Sequence, residues 1–244
     1  MVIKRIIILM KIVKNDLFDY KNRYIWQIDG GFKFSLDSIL LAEYVKVRNN
    51  LSILDMCTGN APIPLIISTK TNSKIVGFEI QKDIANLAKK SVEENKLGNQ
   101  IKIINDDINN IGKYEEKNSF DVITCNPPYF KENSSLVNKN DYKSLARHEI
   151  TINLDNIFSL GFKYLKNNGI LYMVHRPERL DDIIILANKY RINVKELILI
   201  ITNGSMIPTL VLVKCVKNSK SGIKFRKIYD VSKCITYQHI FDSE

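Results

Sequence analysis

Phe120-Asp121-Val122-Ile123-Thr124-Cys125-Asn126-Pro127-Pro128-Tyr129 reads as a buried strand brought to an abrupt stop. Pro127 and Pro128 have a fixed φ and no backbone N–H, so neither can extend a sheet. Each proline also pushes the residue before it out of helical space, which holds Asn126 and Pro127 extended. The outcome is a stiff loop at the carboxyl end of a strand. It presents a carboxamide, backbone carbonyls and an aromatic ring to one spot. Taken alone, a Pro-Pro turn that merely ends a strand gives the same pattern.

Working outward, strands and helices alternate on both sides of this stretch. Towards the N-terminus, Ser35 opens a helix with Leu36, Ile39, Leu40 and Tyr44 at helical spacing through Lys46. Strands are expected at Ser52–Met56, Lys74–Phe78 and Ile101–Ile104, with helices at Ile63–Ser68 and after a cap at Asp83. Towards the C-terminus, the pattern predicts helices at Leu154–Leu165 and Leu180–Tyr190, and strands at Ile170–His175, Val194–Thr202 and Thr209–Val216. Such alternation implies an α/β fold: one doubly wound, mostly parallel sheet of seven strands. A single domain is expected over residues 1–244, with a lead-in at 1–34, the core at 35–216 and a basic tail at 217–244.

The chain has 244 residues, 45% hydrophobic and 25% charged, ordinary for a globular protein with ample core. Its formal net charge of +10 favours a polyanionic partner, most simply nucleic acid. Frequent Ile, Lys and Asn would also follow from AT-rich coding sequence. Cys57, Cys125, Cys215 and Cys234 are far apart and form no C-x-x-C pair, so reduced thiols in a cytoplasmic protein are expected, without a metal site. His148, His175 and His239 show no ligand spacing. The apolar start, Val2 to Val13, is interrupted by Lys4, Arg5 and Lys11 and is too short to span a bilayer. No membrane association is expected, and the chain reads as a monomer.

The proline loop suits methyl transfer to an amine conjugated with a ring or carbonyl, whose delocalised lone pair makes it a poor nucleophile. Two acceptors gripping its N–H bonds favour a pyramidal nitrogen and aim the lone pair. The Asn126 side-chain oxygen and the Pro127 carbonyl are candidates, with Pro128 stiffening the loop and Tyr129 stacking on the planar group.

Upstream, Asp55-Met56-Cys57-Thr58-Gly59-Asn60-Ala61 follows the first strand of the alternation. Gly59 tolerates the φ that a tight turn needs and lets a ligand approach the backbone. Asp55 can accept from a ligand's amino group. Glu79 ends the next strand, about twenty residues after Gly59, where a carboxylate can accept from both hydroxyls of a ribose. Asp107, after the third strand, takes the next place along the sheet edge and suits an adenine amino group. Each alone is compatible with a solvated carboxylate; their order along three successive strands points to one nucleoside-like ligand.

Together, Asp55…Gly59, Glu79, Asp107 and Asn126-Pro127-Pro128-Tyr129 resemble the S-adenosylmethionine-dependent, Rossmann-like methyltransferases that act on exocyclic amines. Phe32-Lys33-Phe34-Ser35-Leu36-Asp37-Ser38, Asp55 through Leu65, Ala146-Arg147-His148-Glu149 and His175 through Leu180 narrow the resemblance. They are similar to the bacterial tRNA1(Val) (adenine-37 N6)-methyltransferases, from about Asn15 to Val216. The resemblance implies that Asp55, Gly59, Asn60, Glu79 and Asp107 contact S-adenosylmethionine, while Asn126 to Tyr129 hold the base. It also implies a tRNA partner and modification of the adenine 3′ of the anticodon. Ala61 stands where many relatives carry a second glycine. Guanine-N2 methylation of rRNA, glutamine-N5 methylation of protein and an inactive RNA-binding role are the alternatives. Arg147, Lys224, Arg226 and Lys227 are the expected contacts to the RNA backbone, and a catalytic role for His148 is a weaker expectation.

Overall fold

The structure is a computed structural model that describes residues 11–17, 20, 22–29, 35–129, 152–202 and 204–242. Its first element is an antiparallel hairpin of β1 (Ile12–Asp16) and β2 (Tyr24–Ile28). Then follow α1 (Leu36–Tyr44), β3 (Ser52–Asp55), α2 (Pro62–Ile67), β4 (Lys74–Phe78), α3 (Lys82–Glu94), β5 (Ile101–Ile104) and β6 (Phe120–Cys125). After residues 130–151 come α4 (Leu154–Tyr164), β7 (Leu165–His175), α5 (Leu180–Lys189), β8 (Ile192–Ile201) and β9 (Leu210–Lys217). Two short strands, β10 (Lys224–Phe225) and β11 (Tyr229–Asp230), end the series. Gln81, not Asp83, is the N-cap of α3, and Asp83 sits in its first turn.

The main sheet runs β10-β8-β9-β7-β6-β3-β4-β5, with β11 also on β8, which makes nine strands and not the seven expected. The seven are present; the two added strands are two-residue pieces of the tail, too short to leave a periodic signal. Both pair parallel with β8, covering its backbone edge. Pairing is parallel across β5-β4-β3-β6-β7, while β9 runs antiparallel to β7 and β8.

Successive residues of the central strands alternate between two apolar layers. Ile53 and Val122 face α1, α2 and α3, whereas Leu54 and Ile123 face α4 and α5. The tail joins the first layer. Tyr229, Val231 and Phe241 are buried there, with Phe241 edge-on to both Tyr229 and Tyr44. At about 1.5–3 kcal/mol for each large apolar side chain, these anchors hold the segment down. These residues therefore belong to the core, and so does Lys217, which is buried with its Nζ donating to Asn118 Oδ1 and the Phe162 and Leu165 carbonyls. Every residue of α1 from Ser38 to Tyr44 is buried, because the helix packs on α2, β7 and β9 and the tail closes over its C-terminal end at Glu43 and Tyr44.

The lead-in hairpin lies on α3. Asn95 receives the Tyr24 N–H at 2.9 Å and returns a bond to the Tyr24 carbonyl at 2.6 Å, while the Trp26 N–H reaches Ser91 Oγ at 2.9 Å. From β3 the chain goes to β4 and β5 on one side, then crosses back to β6 and β7 on the other. That reversal opens a crevice at the carboxyl ends of β3 and β6, the usual ligand position in an open parallel sheet.

Candidate active site

The turn from β3 into α2 forms one wall of the crevice. Its Met56 N–H donates to the Thr124 carbonyl at 3.0 Å and its Thr58 N–H to the Phe78 carbonyl at 2.9 Å, tying it to β6 and β4. Gly59 has φ 56° and Ala61 φ 73°, both left-handed. Proline then starts α2, where its fixed φ suits the first turn. The turn also needs Gly77 beneath it: a Cβ there would stand 2.8 Å from Thr58 Oγ1.

Two carboxylates meet this turn. Glu79 accepts the Gly59 N–H at 3.0 Å through one oxygen and the Gln81 N–H at 2.8 Å through the other. Burial raises its pKa, and those backbone donors partly offset the rise. Asp55 is fully buried at the end of β3; Thr124 Oγ1 donates to its Oδ1 at 2.7 Å, and Oδ2 has no hydrogen-bond partner. Burial pushes its carboxyl up to about 6. Asn60, also buried, donates from Nδ2 to the Trp26 carbonyl at 3.1 Å and leaves Oδ1 unpaired. Buried polar atoms are rarely left without partners, so the Asp55 and Asn60 oxygens fit a site completed by a polar ligand with donors. A nucleoside cofactor bearing an amino group and ribose hydroxyls has those donors.

Asp107 stands past β5, the next strand along the edge. It caps the 3₁₀ turn Ile108–Lys113, its Oδ1 accepting the Asn109 N–H and Nδ2 at 2.9 Å each. The ends of β4 and β5 are laced by Asn105, whose Nδ2 donates to the Glu79 carbonyl at 2.8 Å.

Asn126 to Tyr129 form the facing wall. The Asn126 carboxamide is held at both ends: Nδ2 donates to Ser38 Oγ at 2.9 Å, and Oδ1 accepts the Tyr129 hydroxyl at 2.8 Å. The Tyr129 ring lies edge-on to His175 at 5.1 Å, with the Arg176 guanidinium 5.0 Å from its centroid. The Arg176 N–H donates to His175 Nδ1 at 2.8 Å, which puts the ring proton on Nε2. Burial, and then the charge of Arg179, lower the His175 pKa to about 4, so it packs as a neutral ring at neutral pH. Burial and the Asp37 carboxylate keep the Tyr129 hydroxyl protonated, and Asp37 competes with Asn126 Oδ1 for its single proton.

The structure thus gathers Asp55, Gly59, Asn60, Glu79, Asp107 and Asn126–Tyr129 at the carboxyl ends of β3–β6. Arg147 and His148, like Phe32–Phe34, lie outside the described residues. Lys224, Arg226 and Lys227 are not brought to the crevice. Lys224 lies opposite Glu196 in the strand register, in the middle of β8. Arg226 Nη1 lies 3.8 Å from Glu196 Oε1 with its side chain 12% exposed, so it serves the fold. Two contributors have no assigned role in the sequence: Ser38, which enters only as the last residue of the Phe32–Ser38 stretch, and the β2 strand behind Asn60. Their signal was weak: α1 is buried all round and the hairpin alternates poorly because charges interrupt it.

Among the described residues, no group of three or more His, Cys, Asp or Glu could hold a metal ion, and no helix is long and apolar enough to cross a membrane. The chain is 25% identical over 221 residues to the tRNA1(Val) (adenine(37)-N6)-methyltransferase of Bacteroides thetaiotaomicron, covering 90% of this chain and 91% of that one. It is 28% identical over 163 residues to the protein of the same name from Histophilus somni, covering 66% and 68%. In fold it is similar to a predicted O-methyltransferase from Agrobacterium tumefaciens, with a TM-score of 0.63 at 18% identity over 83% of this chain and 91% of that one. TYW2 of Pyrococcus horikoshii, solved with MeSAdo, gives 0.59 at 13% identity over 86% and 72%. The family described as a methyltransferase domain matches residues 48–221, spanning both walls of the crevice, and the chain belongs to that family.

Proposed function

We propose that this protein transfers a methyl group from S-adenosylmethionine to N6 of an adenine in tRNA, the adenine 3′ of the anticodon of tRNA-Val. The observation that carries the reading is the doubly anchored Asn126 facing the Asp55–Gly59–Glu79 turn across the switch point of the sheet. The curated relatives named for that reaction, matched over most of both chains, support the substrate.

S-adenosylmethionine, held by residues at the ends of β3–β5, would supply an activated methyl on a positively charged sulfur. Glu79 would hold its ribose, Asp107 its adenine amino group and Asp55 its amino end, while Gly59 and Asn60 would line the approach. On the opposite wall Asn126 Oδ1 has two lone pairs, of which the Tyr129 hydroxyl uses one. The other accepts one N–H of the substrate amine, and the Pro127 carbonyl accepts the second. Pro127 and Pro128 keep these acceptors from relaxing, so they stabilise the charge that develops on nitrogen without reorganising. Tyr129 stacks on a base swung out of the loop. The departing proton is acidic once nitrogen carries the methyl, and water takes it.

The protein acts as a monomer in the cytoplasm, where its unmodified substrate is made. An unmodified tRNA-Val transcript incubated with protein and S-adenosylmethionine should yield one N6-methyladenosine per molecule, read by nucleoside mass spectrometry. N2-methylguanosine, or no methylated nucleoside, would overturn the assignment. Asn126→Ala should lower turnover by about a hundredfold or more with the cofactor Kd unchanged.

A further inference from the structure

We propose that Ser38 is a positioning residue for this transfer, acting through Asn126. The inference rests on the proposed function and names a residue that the reaction needs without touching substrate. A carboxamide bonded at one end still swings about its terminal torsion, whose energy well is broad. Here the second end is bonded as well, with Nδ2 on Ser38 Oγ at 2.9 Å opposite the Tyr129 bond to Oδ1. The two bonds leave the plane of the amide, and hence its remaining lone pair, one direction.

Ser38 suits the task because of where it sits. It lies in the first turn of α1, a helix packed on α2, β7 and β9 whose residues from Ser38 onward are all buried. Its own N–H is bonded to the Ser35 carbonyl at 3.1 Å, so its place in the turn is fixed. An acceptor on a buried helix is located more tightly than one on the loop that carries Asn126. Ser38 is 6% exposed, which leaves the amide as its partner rather than bulk water.

The test is a double-mutant cycle. Ser38→Ala in the wild-type background should lower kcat by about ten- to a hundredfold, the cost of a small misplacement, with KM for tRNA and cofactor Kd within about twofold. In an Asn126→Ala background the same change should cost almost nothing further, because the residue it acts through is gone. Should Ser38→Ala fail to fold, Ser38→Cys offers a weaker acceptor of similar size, and a smaller kcat loss with the same non-additivity carries the inference. An unchanged kcat in the single variant, or equal losses in both backgrounds, overturns it. Failure of the wild-type protein to methylate tRNA would instead remove the proposed function, so the two failures are distinguishable.

Discussion

The Tyr129 hydroxyl donates to Asn126 Oδ1 at 2.8 Å, so the ring expected to stack on a base also anchors the amide expected to hold it. The two roles separate by mutation. Tyr129→Phe keeps the ring and loses a bond worth about 0.5–1.5 kcal/mol, so kcat should fall by roughly two- to tenfold with RNA affinity retained. Tyr129→Ala should in addition weaken RNA binding by about 1–3 kcal/mol, the usual value of stacking on an aromatic side chain. Single-turnover rates and direct RNA titrations check both. Unchanged kcat in the phenylalanine variant would show that Ser38 alone fixes the amide.

Asp55 should set stability and cofactor affinity against each other. A carboxyl raised from 3.8 to about 6 binds its proton more tightly in the folded protein than in the unfolded chain. Stability of the ligand-free protein therefore falls as pH rises from about 4 to 6, and the cost of about 3 kcal/mol stays in place at neutral pH. Asp55→Asn removes that charge but buries an amide donor, which costs about 1–3 kcal/mol and so offsets up to the whole of the gain. The variant should melt no lower than wild type at pH 7.5, and should lose ground to it towards pH 4. Its affinity for S-adenosylmethionine should drop, since an amide no longer offers a charge to the amino group. A variant that melts lower at pH 7.5 would show that Asp55 is not held at a cost.

Beneath the turn from β3 into α2, Gly77 is required for space. A methyl there would lie 2.8 Å from Thr58 Oγ1, 3.0 Å from Thr58 Cβ and 3.1 Å from Ile103 Cδ1. Thr58 is β-branched and stiff, so the turn itself must lift. Gly77→Ala should cost about 1–3 kcal/mol of stability and weaken cofactor binding as well. Ala61→Gly tests the same turn in the opposite sense. Relief of a left-handed alanine, about 1–2 kcal/mol, is set against a lost buried methyl of about 0.8 kcal/mol and extra chain entropy. The melting temperature should therefore barely move, whereas Gly77→Ala lowers it. Equal effects would mean that Thr58 is free to shift.

The core strands were readable because each is a short apolar run whose end carries a punctuating residue: Asp55, Glu79 and the prolines after Cys125. Those ends also line the candidate site, so the fold and the proposed chemistry are read from the same positions. What escaped depends on contacts distant in sequence. Ser38 looks like any helical serine until Asn126, 88 residues later, arrives beside it. Tyr229 and Phe241 are isolated apolar residues in a basic stretch, and only the exposed flank of β8 and the back of α1 give them partners. Arg226 reads as one more cation in a run, yet Glu196 on β8 takes it.

That last pairing reshapes what the tail can do for RNA. Seven basic residues from Lys214 to Lys233 face one acid, Asp230. Lys224 and Lys227 are exposed, while the Arg226 side chain is mostly buried beside Glu196. Glu196 also accepts the Tyr44 hydroxyl at 2.9 Å, so the pair is part of the seam between β8 and α1. β10 lies four strands from β6, about 19 Å at the usual spacing of about 4.8 Å, a span that a folded RNA bridges readily. Lys224→Gln with Lys227→Gln should weaken tRNA binding and flatten its salt dependence by about 0.7–0.9 log units for each phosphate no longer neutralised. The melting temperature and cofactor Kd should stay put. Arg226→Gln should do the reverse, lowering stability by about 1–3 kcal/mol, below the cost of breaking a fully buried pair because the ions here are partly exposed. Its salt slope should match wild type. A steep slope that survives the double lysine change would take the tail out of RNA recognition and turn attention to Lys131, Lys139, Lys143 and Arg147, which follow the proline loop in sequence.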